Sequence, residues 1–133
     1  MFSVFTYGTL QLPAVMQAVT GKDLKPVVAT LTGHQRFKFK EKTYPGIIKN
    51  EASSIEGMLY KDVDKQSIQL LDEFEDIMYK RCLLDVQVGN ETEQAFVYVV
   101  KDEYRDRLSE KEWSLEEFKR KYLNFYLRDI SKL

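Results

Sequence analysis

Tyr79-Lys80-Arg81-Cys82-Leu83-Leu84-Asp85-Val86-Gln87-Val88 is followed by Gly89-Asn90 and, after a polar run, by Ala95-Phe96-Val97-Tyr98-Val99-Val100. In the first segment Cys82, Leu84, Val86 and Val88 alternate onto one face, the period-two signature of a strand. Gly89-Asn90 is a hairpin-type turn. The second segment is apolar or aromatic throughout, as expected of a central strand buried on both faces. Around this nucleus the strands and helices do not alternate regularly, which argues against a doubly wound parallel sheet.

Upstream, Phe2 to Tyr7 is β-branched and aromatic and stops at Gly8, a strand ending in a turn. Pro13 to Val19 reads as a short helix with Pro at its first position. Thr30 to Lys42 contains a clean alternation, with Arg36, Lys38 and Lys40 on one face and Phe37 and Phe39 on the other. Tyr44-Pro45-Gly46 is a turn, after which Ile47 and Ile48 resume strand character. Ile55 to Tyr60 is another strand, and its Gly57 suggests close approach of another group. Asp64 caps a helix from Lys65 to about Glu75, and Ser114-Leu115-Glu116-Glu117 is a capping box. That box opens a C-terminal helix whose apolar face is Leu115, Phe118, Tyr122 and Phe125. Five to seven short strands with two or three helices make a small α+β chain with an antiparallel or mixed, barrel-like sheet.

A length of 133 residues fits one domain over 1–133. Twenty basic residues against 21 acidic ones leave a formal charge of −1, which disfavours nucleic-acid binding as the main task. On the Arg36 to Lys42 strand, charges and rings fall on opposite faces, so a solvated face explains it better than an RNA platform. One Cys excludes an internal disulfide, and one His excludes a His-rich metal site. Cys82 alternates with core residues and reads as an inert thiol; His34 follows Gly33 and reads as a turn or surface residue. No apolar run is long enough for a transmembrane helix, and no secretory signal is visible. A cytoplasmic setting is expected, with Ser131-Lys132-Leu133 matching the peroxisomal address.

Two places carry chemistry. Ile68, Leu71 and Glu75 share a stripe on the predicted helix, which sets a carboxylate at an apolar position near the C-terminal end. Desolvation and the negative helix end both raise its pKa, as a proton shuttle near neutral pH requires. The alternative is that the helix ends at Phe74 and Glu75 caps it or forms a salt bridge in a loop. Tyr7-Gly8-Thr9-Leu10 sits where a strand meets a loop, and successive amides there form either an anion-binding nest or a plain turn. No P-loop, dinucleotide fingerprint, zinc motif or Gly-x-Ser-x-Gly elbow occurs.

Four segments in this order resemble one family: Val4-Phe5-Thr6-Tyr7-Gly8-Thr9-Leu10; Tyr44-Pro45-Gly46-Ile47; Ile55-Glu56-Gly57-Met58-Leu59-Tyr60; and Leu71-Asp72-Glu73-Phe74-Glu75-Asp76-Ile77-Met78-Tyr79-Lys80-Arg81. They look like the γ-glutamylcyclotransferase-like family, and more closely its short branch of γ-glutamylamine cyclotransferase and plant avirulence-induced proteins. The resemblance implies a small mixed, mostly antiparallel β-barrel with short helices and a cavity at one end. It implies an enzyme of lyase or acyltransferase type that releases 5-oxoproline from a small γ-glutamyl amine or peptide, without metal or cofactor. By the same resemblance Glu75 is the general acid/base, Tyr7, Gly8, Thr9 and Leu10 bind substrate, Tyr79 lies near the cavity and Arg81 supports it. A non-catalytic module that binds a small molecule or peptide end on the same fold is the alternative. The chain departs from the family at Asp76, where many members have Gly, and at Gln11-Leu12-Pro13, where many have a basic, Gly-containing loop.

Overall fold

The computed structural model describes residues 1–131. Its five strands are β1 (Phe2–Thr6), β2 (Val27–Lys38), β3 (Pro45–Val63), β4 (Tyr79–Val88) and β5 (Glu91–Val100). They close into a barrel in the order β1-β3-β2-β4-β5. Neighbours are antiparallel except at the seam, where β1 runs parallel to β5 and Val4 faces Phe96. Four helices accompany the sheet: α1 (Pro13–Thr20), α2 (Lys65–Glu75), α3 (Leu115–Lys121) and α4 (Leu123–Ser131). Short 3-10 turns cover Thr9–Gln11 and Asp102–Arg107. None of the described helices is long and apolar enough to cross a membrane. The Ser131-Lys132-Leu133 ending runs past the described residues.

Alternation along the strands sorts the core into two layers. Phe5, Leu31, Leu59, Val86, Ala95, Val97 and Val99 belong to a cluster contributed by all five strands, which fills the barrel. Val4, Tyr60, Tyr98 and Val100 point the other way and meet Val15 and Met16 of α1 and Ile68 and Leu71 of α2. This two-sided burial is why β5 is apolar at every position from Ala95 to Val100. Cys82, Leu84 and Val88 are partly buried and pack against the barrel cluster with Val86.

The local signals explain most element ends. Pro13 opens α1, and Gly21 closes it in the left-handed region at φ 74°. Asp64 Oδ1 accepts the Ser67 amide at 2.9 Å to cap α2, and Ser114 Oγ accepts the Glu117 amide at 3.3 Å to cap α3. Gly89 at φ 60° turns the β4–β5 hairpin.

Four expectations need correction. The segments around Ile47 and Ile55 to Tyr60 are one long strand, because β2 runs beside both and a register shift between Thr32 and His34 absorbs the irregularity. His34 is buried in β2 and its Nδ1 lies 3.1 Å from the Thr32 carbonyl, so it is no surface turn. Arg36 is half-buried rather than solvated, since it reaches across the sheet to the backbone of β1's exit. The C-terminal helix is two helices broken at Tyr122, and the break turns Phe125 outward.

Asp76 stands in a backbone conformation that favours glycine. It ends α2 at φ 68° and ψ −168°, a region open to glycine and strained for other residues. Asp76→Gly removes that strain, about 1–3 kcal/mol, against a smaller entropic gain of the unfolded chain. We expect a net stabilisation of about 1–2 kcal/mol, seen as a higher urea midpoint; an unchanged or lower midpoint rejects the strain.

Candidate active site

A cavity of about 210 Å³, open on one side, lies where β1 exits, β3 and β4 begin and α2 ends. One wall is the chain from Thr6 to Leu10, and another carries Phe74 and Glu75. Phe5, Tyr44, Pro45, Tyr79, Tyr98 and Tyr126 complete the lining. All six residues singled out from the sequence, Tyr7, Gly8, Thr9, Leu10, Glu75 and Tyr79, therefore come together on this cavity.

The first wall is a loop held by its carbonyls. The Tyr7 carbonyl accepts Gln11 Nε2 at 2.9 Å and Arg36 Nη1 at 2.8 Å. The Gly8 carbonyl accepts the Gln11 amide at 3.1 Å, and the Thr9 carbonyl accepts the Leu12 amide at 3.2 Å. In a trans peptide the following N–H points opposite to the carbonyl. The amides of Gly8, Thr9 and Leu10 are thus turned away from these anchors, and none of them has a backbone acceptor among the described residues. The Tyr60 hydroxyl donates to the Leu10 carbonyl at 2.8 Å and fixes the far end. Gln11 is buried and serves as an internal brace. At Gly8 a Cβ would sit 3.0 Å from the Pro45 ring, so the loop and the start of β3 are in tight contact.

Glu75 closes α2, so the helix does reach it and does not stop at Phe74. Its carboxyl makes no hydrogen bond or ion pair with any described residue, and burial pushes it up to about 8. Five phenols, those of Tyr7, Tyr44, Tyr79, Tyr98 and Tyr126, feel the Glu75 charge. Burial, chiefly, raises all five above the ordinary tyrosine range, so each stays a neutral hydroxyl. Among the lining residues, Glu75 alone titrates near neutrality.

Most of those hydroxyls brace the walls. Tyr7 donates to the Tyr98 carbonyl, and Tyr79 donates to the Pro45 carbonyl at 2.7 Å. Tyr98 donates to Asp72 Oδ1 at 2.7 Å, and Arg81 Nη1 holds Asp72 Oδ2 at 2.8 Å. Arg81 also stacks over Phe96 at 4.6 Å. Asp72 thereby ties the last turn of α2 to β4 and β5, just before Glu75. Tyr44 makes no hydrogen bond through its hydroxyl among the described residues, although its ring meets Phe39 edge-on at 5.6 Å.

A family model described as "Gamma-glutamyl cyclotransferase, AIG2-like" matches residues 4–115. The chain belongs to this family. It is similar to AIG2-like protein C of Arabidopsis thaliana, with 32% identity over 120 residues, covering 89% of this chain and 69% of that protein. AIG2-like protein A of the same plant is 26% identical over 147 residues, covering 100% of this chain and 81% of that protein. A solution structure of another Arabidopsis thaliana protein superposes with a TM-score of 0.73 at 28% identity, covering 98% of this chain and 89% of that one. A structure titled "Gamma-glutamyl cyclotransferase" has a TM-score of 0.69 at 16% identity, covering 99% and 87%, and shares the fold. The AIG2-like family match thus spans the amide loop and Glu75, and it stops before α4.

Sequence reasoning missed seven lining residues as site residues: Phe5, Thr6, Tyr44, Pro45, Phe74, Tyr98 and Tyr126. Tyr44 was visible within the Tyr44-Pro45-Gly46 signal, and Phe74 lay beside the stripe of Glu75. Tyr98 sat within an apolar strand, where nothing marks one face as cavity. Tyr126 lay beside the predicted apolar face of the C-terminal helix, but nothing in that face linked it to the cavity.

Proposed function

We propose that the protein releases 5-oxoproline from a small γ-glutamyl amine or peptide by attack of the substrate's own α-amine. The reading is carried by one cavity lined both by Glu75, whose carboxyl burial pushes up to about 8, and by the segment whose Gly8, Thr9 and Leu10 amides have no backbone acceptor among the described residues. The family membership supports the same chemistry.

Ionised Glu75 accepts a proton from the α-ammonium group. The freed nitrogen attacks the γ-carbonyl carbon, and a new C–N bond closes the five-membered ring. The carbonyl electrons move to oxygen, where the amides of Gly8, Thr9 and Leu10 are poised to receive either this oxyanion or the α-carboxylate. Collapse restores the C=O bond and breaks the bond to the leaving amine, which takes the first proton back from Glu75; the second proton of the attacking nitrogen passes through Glu75 in turn, so the ring keeps one N–H and the amine departs as an ammonium. Atoms and charge balance without a further reactant. Tethering of the nucleophile supplies up to ~7–11 kcal/mol, so the protein needs a mould, a base and an anion site. Neutral phenols around Glu75 favour holding the substrate over competing for its proton.

Incubation with a panel of γ-glutamyl amines, peptides and isopeptides, followed by assay of 5-oxoproline, tests the reading. Release from at least one member is expected. Binding without release would instead make the chain a binding module on the same fold. Gly8→Val crowds the amide loop against Pro45 and is expected to weaken binding about 10-fold or more. Unchanged affinity in that variant would make the loop a plain turn.

A further inference from the structure

We propose that Tyr126, on α4, is a specificity-determining residue that sets the size of leaving amine the cavity admits. The inference rests on the cyclisation reading and deepens it. The α-ammonium and the anionic atoms of a γ-glutamyl group call for Glu75 and for the amides of Gly8 to Leu10. Those two features both line the cavity, and the rest of the lining is mostly aromatic, with Tyr44, Phe74 and Tyr126 among it. The cavity, at about 210 Å³, is smaller than the ~300–1,000 Å³ typical of ligand pockets. A bulky leaving group that does not extend through the open side must therefore press against that aromatic wall.

Tyr126 is the member best placed to decide how far the wall gives. Its hydroxyl lies 3.1 Å from Thr9 Oγ1, on the amide loop. Its ring meets the edge of Phe74, the residue before Glu75, at 6.3 Å. Behind it, Phe118 of α3 backs the ring at 5.2 Å. One side chain thus spans both working walls and closes the gap between them. It comes from α4, beyond residue 115 where the family match ends.

The test uses the full chain, Tyr126→Phe and Tyr126→Ala, with γ-glutamyl methylamide, butylamide and benzylamide as substrates. Tyr126→Ala is expected to raise the benzylamide-to-methylamide ratio of kcat/KM about 10-fold or more. Tyr126→Phe keeps the ring and so keeps the wild-type ratio, while loss of the Thr9 contact raises KM more than it lowers kcat. A merely structural role would lower all three substrates alike in the alanine variant. That result, or an unchanged ratio with 5-oxoproline still forming, overturns the proposal and leaves the cyclisation reading standing. Calorimetric binding of the same amides to each variant separates the two ideas. If no substrate turns over but the binding ratio shifts, the cyclisation reading falls and size selection by Tyr126 stands. If no substrate turns over and the binding preference does not shift, both fall. Should the alanine variant not fold, Tyr126→Leu keeps apolar contact with Phe118 and carries the same expectation.

Discussion

Glu75→Gln lowers turnover about 10²–10⁴-fold and, in the same protein, raises stability at alkaline pH. Both effects come from one carboxyl. The amide has nearly the same shape but accepts no proton, so substrate cannot be deprotonated or the leaving amine protonated. The stability change follows from the shift of Glu75 from an ordinary 4.5 to about 8. Between those values the folded protein holds a proton that the unfolded chain releases. The resulting stabilisation is fully present below about pH 4.5 and is lost as pH rises through about 8. The neutral amide lacks this dependence, so the wild type loses ~3–5 kcal/mol relative to the variant across the window. Guanidinium midpoints of both proteins at pH 4 and pH 9 check it. Parallel pH dependence would place the carboxyl in water, and wild-type turnover would remove it from the chemistry. The acidic limb of wild-type kcat/KM is expected to bend near pH 8, because the ionised form is the base.

Gly57→Ala is the change expected to harm the fold most. A Cβ at this position would lie 2.2 Å from the Thr6 carbonyl oxygen and 2.8 Å from Cζ of Phe5. The first of these is backbone and cannot swing aside. Overpacking ordinarily costs ~1–3 kcal/mol, and a backbone clash belongs at or above the upper end. Relief requires β1 to move off β3 where Thr6 pairs with Met58, immediately before the amide loop. We expect a loss of about 3 kcal/mol or more in urea unfolding, together with weakened ligand binding. A loss under about 1 kcal/mol would mean that the two strands separate freely.

What could be read from the sequence was what local chemistry fixes. Asp64, Pro13, Ser114 and Gly89 announce their caps and turns because the hydrogen bonds or angles involved span only a few residues. The apolar run Ala95 to Val100 announced two-sided burial because each face has its own core. The stripe through Ile68 and Leu71 pointed at Glu75, but periodicity alone left open whether the helix reached that far. Long-range partnerships were not legible. Arg36 looked like a solvated strand charge, yet it braces the Tyr7 carbonyl from 29 positions away. Tyr126 could not be separated from Phe125 until the break at Tyr122 reset the helical phase. The strain at Asp76 likewise needs a dihedral angle, since aspartate is an unremarkable residue after a helix.

The parallel seam between β1 and β5 has a consequence for synthesis. Translation delivers β1 first and β5 last among the strands, and Val4 waits for Phe96 before the cylinder can shut. Until then the ribosome-bound fragment exposes one flank of its opening strand, and the loop after that strand lacks the Tyr98 carbonyl that anchors the Tyr7 ring. Premature stops ahead of Phe96 would therefore yield chains with an unzipped edge and no assembled reaction chamber, prone to pair with one another rather than to idle as miniature versions of the whole.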